Sequence, residues 1–138
     1  MILLDTSGLL AALDSGQRHH AEAAASLAAA TPPLLLSPFV LAELDYLLAT
    51  RVGEAARTSL LREVERGAYQ LPPFSAGEVG EARAIIERHG DLGVSLADAS
   101  IAVLAARYEI QDVLTLDERH FRILTANRKP FLLLPADA

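Results

Sequence analysis

The sequence predicts an α/β fold, an α/β/α sandwich in which a short parallel sheet of about five strands is flanked by helices. Three observations lead there. Short apolar runs alternate with longer helical patterns along nearly the whole chain. The runs at 2–4, 34–36 and 131–134 are continuously apolar, as strands covered on both faces are. The segments between them are long enough to hold crossover helices, which parallel neighbours require.

Taken in order, Ile2, Leu3 and Leu4 form a buried strand that runs into Asp5-Thr6-Ser7-Gly8, a helix start carrying N-cap residues. Residues 9–14 and the alanine-rich 18–30 read as two helices, the second stopped by Thr31-Pro32-Pro33. Residues 34–36 are the second strand. Ser37 as cap and Pro38 at the first helical position open a helix over 39–50. Gly53 interrupts; 54–66 is helical and ends at Gly67, and a short strand around 69–71 precedes Pro72-Pro73. Ser75 caps a helix reaching His89, 90–94 is a turn-rich loop, and Ser95 opens a helix to Tyr108. Residues 112–116 are a strand, 117–121 begin a short helix, and 131–134 are the last strand.

A chain of 138 residues with 51% hydrophobic content is expected to form one domain over 1–138 with one sizeable core. Its apolar stretches fall far short of the roughly 18 residues of a membrane span. The N-terminus lacks the basic region of a secretory signal, so the expectation is a protein with no membrane attachment and no export. The absence of cysteine excludes disulfides, thiolate zinc sites and a cysteine nucleophile, and fits the reducing cytoplasm. Any metal must therefore sit on oxygen or imidazole. The net charge of −6 argues at first against a nucleic-acid partner. If four carboxylates belong to one metal site, however, 14 of the 18 acids stand against 12 basic residues, close to balance.

Four carboxylates stand out. Asp5 lies where the first strand ends and Asp117 just past the fourth, and ligands of open α/β sheets bind at the carboxyl ends of strands. Each could equally cap the helix that follows. Glu43 is placed by a helical wheel: with Phe39 at zero it falls at about 40°, between Phe39 and Leu47 and inside the apolar arc. A core-facing glutamate needs a partner, either a metal or an arginine. Asp98 lies on a helix that is apolar almost all round, across from a narrow polar edge of Ser100 and Arg107. Ser95-Leu96-Ala97-Asp98 also has capping-box spacing, so cap and ligand are both open for Asp98. Together, two acids at strand ends and two on helices could converge at one end of the sheet. Hard divalent cations require such oxygen ligands. Without a metal, like charges packed together would raise one another's pKa, and the cluster is expected to hold a proton at neutral pH.

Four segments in order carry a family likeness: Leu4-Asp5-Thr6-Ser7 with Leu9-Leu10-Ala11; Ser37-Pro38-Phe39-Val40-Leu41-Ala42-Glu43-Leu44; Leu96-Ala97-Asp98-Ala99-Ser100-Ile101-Ala102; and Leu114-Thr115-Leu116-Asp117 with His120-Phe121. On these the chain resembles the PIN domain and, within it, the VapC-type toxins of bacterial type II toxin-antitoxin pairs. The resemblance implies a compact α/β/α fold, cleavage of RNA, dependence on Mg²⁺ or Mn²⁺, and homodimerisation. It also implies inhibition by a cognate VapB-type antitoxin whose C-terminal segment lies across the site. Asp5, Glu43, Asp98 and Asp117 match the family's four acids as catalytic residues and metal ligands, and Thr6 and Thr115 match supporting hydroxyl positions. Thr115 has an alternative as a β-branched strand residue, and His120 beside the packing residue Phe121 reads as structural.

Two other functions compete. An aspartyl phosphotransfer domain would use Asp5 as nucleophile, but it expects a second aspartate two residues on, where this chain has Ser7, or a neighbouring acidic pair with a later lysine, and the only lysine is Lys129. A non-catalytic PIN-like interaction module would leave the acids as caps and solvated charges. A mean hydropathy of +0.27 implies apolar surface for a dimer or partner, which fits either the enzyme or the module.

Overall fold

The computed structural model describes residues 1–138. The chain opens with strand β1 (Ile2–Leu4), helices α1 (Thr6–Leu13) and α2 (His20–Ala29), and strand β2 (Leu34–Leu35). Helices α3 (Pro38–Arg51), α4 (Glu54–Glu65), α5 (Ala76–Arg88) and α6 (Leu96–Tyr108) follow, then β3 (Asp112–Leu114) and α7 (Glu118–Phe121). A small hairpin, β4 (Thr125–Ala126) with β5 (Lys129–Pro130), precedes the last strand, β6 (Leu132–Leu134).

The main sheet is parallel, in the order β2-β1-β3-β6. From β1 the chain crosses first to β2 and later to β3 on the other side, so the topological switch point falls between β1 and β3. The sheet has four strands where about five were expected. The segment at 69–71 contributes a single bridge, with Gln70 N–H donating to Leu34 O at 2.8 Å and Leu36 N–H donating to Gln70 O at 2.9 Å. Pro72 and Pro73 have no N–H to continue a ladder, which ends the pairing there.

Buried strand side chains and helix faces merge into one hydrophobic core. Helix α6 is its centre: Ala97, Ala99, Ile101, Ala102, Leu104 and Ala105 are all buried. Ser100, expected on the polar edge of α6, is also fully buried. It donates to Ala97 O at 2.6 Å and lies 2.7 Å from the equally buried Ser37 hydroxyl, so two core polar groups satisfy each other. The buried stripe of α3 is Val40, Leu44 and Leu48. Phe39 and Leu47 sit at its margin, half-buried, and Glu43 on their flank is exposed rather than core-facing.

One close approach fixes how α1 meets the sheet. A Cβ on Gly8 would stand 2.3 Å from Leu114 O and 2.7 Å from Thr115 N, so only glycine lets the first turn of α1 lie against the end of β3.

Candidate active site

Asp5 ends β1, at the switch point, and is 4% exposed. It occupies the N-cap position of α1, yet its side chain makes no capping bond. Its Oδ2 instead accepts two hydroxyl hydrogen bonds, from Ser7 at 2.7 Å and from Thr115 at 2.7 Å. Both hydroxyls are in turn held by the backbone beyond β3: Leu116 N–H donates to Ser7 Oγ at 3.0 Å and Asp117 N–H to Thr115 Oγ1 at 2.9 Å. The carboxylate is thus locked by its second oxygen, with Oδ1 left outside the hydroxyl clamp.

Asp98 fulfils the capping reading and also stands beside other ionisable groups. Ser95 Oγ accepts Asp98 N–H at 3.1 Å and Asp98 Oδ2 accepts Ser95 N–H at 3.2 Å, a complete capping box. The same carboxylate lies within 3.5 Å of His120 Nδ1. Asp117 caps α7, with Oδ1 accepting His120 N–H at 3.0 Å and Oδ2 2.5 Å from His120 Nδ1. Ligand atoms of Asp98, Asp117 and His120 all fall within 4.8 Å of one another, a spacing that can hold a metal ion.

His120 belongs to this cluster, which the sequence reading did not give it. Its Nε2 lies 2.8 Å from Leu92 O, an acceptor that demands a donor, while Nδ1 faces two carboxylates. Burial works against the charged ring, but the Leu92 carbonyl and the carboxylates of Asp117 and Asp98 outweigh it and hold the imidazole above its ordinary value. Phe121 does pack as expected, edge-on to Phe131 with ring centres 6.0 Å apart.

Burial pushes the Asp5 carboxyl up to about 6, against the pull of the Thr115 and Ser7 hydroxyls and with the Asp98 charge adding to the rise. Burial raises Asp98 as well, opposed by its bonds to Ser95 and by His120, with the Asp117 charge contributing upward. Repulsion thus adds to the larger effect of burial at Asp5 and Asp98, and the imidazole of His120 offsets part of it at Asp98.

Thr6 and Thr115 fare differently. Thr115 is a working hydroxyl, whereas Thr6 Oγ1 is buried without a hydrogen-bond partner. Ser7, which was not among the candidate residues, donates to Asp5; the Asp-x-Ser spacing at a strand end, which brings a hydroxyl back onto a carboxylate, is the signal in the sequence. Glu43 makes no hydrogen bond or ion pair and lies outside the close group, on an exposed turn of α3.

The donor set fits a hard divalent cation: carboxylate oxygens dominate, and one carboxylate, that of Asp5, is buried and pre-oriented. His120 would have to yield its contact to an ion bound on Asp98 and Asp117, or join it as a nitrogen ligand.

The PIN domain family pattern matches residues 2–125. The chain belongs to the PIN domain family. Among characterised proteins, it is 42% identical over 123 residues to Ribonuclease VapC26 of Mycobacterium tuberculosis, spanning 89% of this chain and 91% of that protein. The crystal structure of Mycobacterium tuberculosis VapC20, a sarcin-ricin loop cleaving toxin, superposes with a TM-score of 0.81 at 23% identity, covering 87% of this chain and 92% of that one. FitAcB from Neisseria gonorrhoeae superposes with a TM-score of 0.63 at 25% identity, over 88% and 91% of the two chains. No helix is long and apolar enough to cross a membrane.

Proposed function

We propose that this protein is a metal-dependent endoribonuclease, the toxin of a type II toxin-antitoxin pair, acting as one domain over residues 1–138 in the cytoplasm. The observation that carries the reading is the meeting of Asp98 and Asp117 within ligand distance, at the end of the sheet where Asp5 is clamped. Family membership and 42% identity to a named ribonuclease supply the chemistry such a cluster would perform.

Asp5, Asp98 and Asp117 are the proposed ligands of Mg²⁺ or Mn²⁺, and Glu43 on α3 is the fourth proposed acid of the site. A bound divalent cation supplies Lewis acidity to the scissile phosphate and lowers the pKa of an attacking water. The protein's own groups do the positioning. Ser7 and Thr115 hold Asp5 by one oxygen, Ser95 anchors Asp98, and the α7 backbone anchors Asp117. In hydrolysis, water oxygen bonds to phosphorus as the bond to the leaving ribose oxygen breaks. One water proton goes to a carboxylate or solvent, and the leaving oxygen takes a proton in exchange.

Two further parts of the reading concern partners. Tyr46, Val52 and Leu61 on and around α3 and α4 are exposed apolar side chains, which supports a homodimer or a VapB-type antitoxin covering that face. Hydrodynamic mass tests the dimer, and a monomer at micromolar concentration contradicts it.

The test of the function is calorimetric titration of Mn²⁺ or Mg²⁺ into wild type, Asp5→Asn and Asp98→Asn, followed by RNA cleavage assays. Binding and cleavage by the wild type alone are expected. Full activity in either variant, or no metal binding by the wild type in the millimolar range, overturns the reading.

A further inference from the structure

A cavity of about 330 Å³ opens beside Thr115, between the start of α2, the end of β3, α7 and the segment that follows β6. Four separate stretches enclose it: His19 and Glu22 from the start of α2, Thr115 and Leu116 from the end of β3, Glu118 from α7, and Pro135 with Ala136 after β6. Its size falls within the range of small-ligand pockets, roughly 300–1,000 Å³. Because the Thr115 hydroxyl also donates to Asp5, the cavity and the carboxylate cluster share a residue.

We propose that this cavity is a specificity pocket for a nucleobase next to the scissile phosphate, and that its lining selects guanine. The proposal rests on the ribonuclease reading for its place in the reaction, but not for the ligand chemistry. The polar side chains facing the cavity are chiefly acceptors. Glu22 and Glu118 each bring a carboxylate, and His19, 3.5 Å from Glu22, is the one basic group. A second phosphate is repelled by two carboxylates. A guanine edge instead offers two adjacent donors, the ring N1–H and the 2-amino group, which one carboxylate can accept together. Uracil and adenine offer a single donor flanked by acceptors, which a carboxylate repels. Leu116, Pro135 and Ala136 give the apolar surface that a flat base needs.

The wall that carries Glu118 is held in place before any ligand arrives. Arg122 donates to Glu118 Oε1 from Nη2 at 2.8 Å and to Asp137 from Nη1 and Nη2 at 2.8 and 2.7 Å. Asp137 Oδ2 in turn accepts Leu133 N–H at 2.8 Å. Arg122 thereby ties α7 to the segment that follows β6, and its bonds use only one oxygen of Glu118, leaving Oε2 for a ligand. A pocket fixed in this way loses little freedom on binding, which favours discrimination.

The experiment titrates GMP, AMP, CMP and UMP into the full chain by calorimetry, and maps cleavage sites on randomised-sequence RNA with Mn²⁺ present. GMP is expected to bind at least about tenfold tighter than the others, a preference that Glu22→Gln and Glu118→Gln reduce about tenfold while melting as wild type does. Cuts are expected next to guanine. A GMP preference that depends on Glu22 without any RNA cleavage supports the pocket and removes the nuclease reading. Equal affinity for the four nucleotides overturns the pocket, as does a GMP preference that survives both Glu22→Gln and Glu118→Gln. Binding of N-acetylargininamide in place of GMP also overturns it, and assigns the cavity to an arginine of a protein partner.

Discussion

The Thr115 hydroxyl donates to Asp5 Oδ2 at 2.7 Å, a buried bond between positions 110 apart in the chain. It joins the ends of β1 and β3 across the switch point and decides which oxygen of Asp5 is available to a cation. Removing a hydrogen-bond partner of a metal ligand typically costs 10–100-fold in metal affinity or activity. Thr115→Val is expected to weaken Mn²⁺ binding by about tenfold or more on that basis, and Ser7→Ala to do the same. Thr6→Val should have a smaller effect, because its hydroxyl has no partner to lose. Calorimetry on the three variants checks the order, and equal losses would contradict it.

Gly8 underlies that same junction. Gly8→Ala places a methyl 2.3 Å from a backbone carbonyl oxygen, so α1 must shift away from β3. The expected loss is about 2 kcal/mol or more, the range of overpacking in a tight core. Urea denaturation measures it. Displacement of α1 would also pull Ser7 from Asp5, so metal affinity should fall together with stability.

The pH dependence of the metal-free protein follows from Asp5. Its folded pKa is raised from 3.8 to about 6, so the fold favours the neutral carboxyl and binds its proton more tightly than the unfolded chain does. Stability should therefore fall as pH rises from about 4 through about 6, by at most about 3 kcal/mol from this group. Asp5→Asn should flatten that part of the curve. Thermal melts with chelator between about pH 3 and about pH 7 test this, the limits lying about one unit outside that window. Added Mn²⁺ should reverse the loss at the upper end, since a ligand of the folded state stabilises it.

Arg122 and Asp137 give a dependence of opposite sign. The Arg122 guanidinium and the Leu133 N–H hold the Asp137 carboxyl down at about 2, so the pairing is fully present above the ordinary carboxylate range and is lost as pH falls through about 2. Arg122→Ala should leave the global fold intact, because the pair is solvent-accessible and such pairs contribute little to stability. Faster amide exchange at Leu133 is the expected local readout, since its N–H donates to Asp137.

Much of this arrangement was legible in the chain. Serine caps with an acid three residues on, at Ser75 and Ser95, marked the starts of α5 and α6, because capping is a local bond between near neighbours. The strands at 2–4, 34–35 and 132–134 could be read as short apolar runs, and 112–114 from Val113 and Leu114, both buried, after the half-buried Asp112. Other features were not legible. The β4–β5 hairpin is two residues per strand and turns at Asn127 and Arg128, both at positive φ, without the glycine that usually announces such a turn. Ser100 looked like part of a polar edge because a wheel counts side chains on one helix, and its partner Ser37 comes from another. Glu43 was placed among apolar neighbours correctly, but those neighbours lie at the margin of the buried stripe, and only the packing of α3 defines where that margin falls.

The sequence by itself therefore determined the alternation of strands and helices, the capping residues, and which carboxylates stand at element ends. These follow from periodicity and from contacts within a few residues. Tertiary structure alone decided that Asp98, Asp117 and His120 meet, that Ser7 rather than Thr6 holds Asp5, and that a cavity opens beyond Thr115. Those relationships depend on the order of strands in the sheet and on how closely α1 can approach β3, distances set between segments that are far apart along the chain.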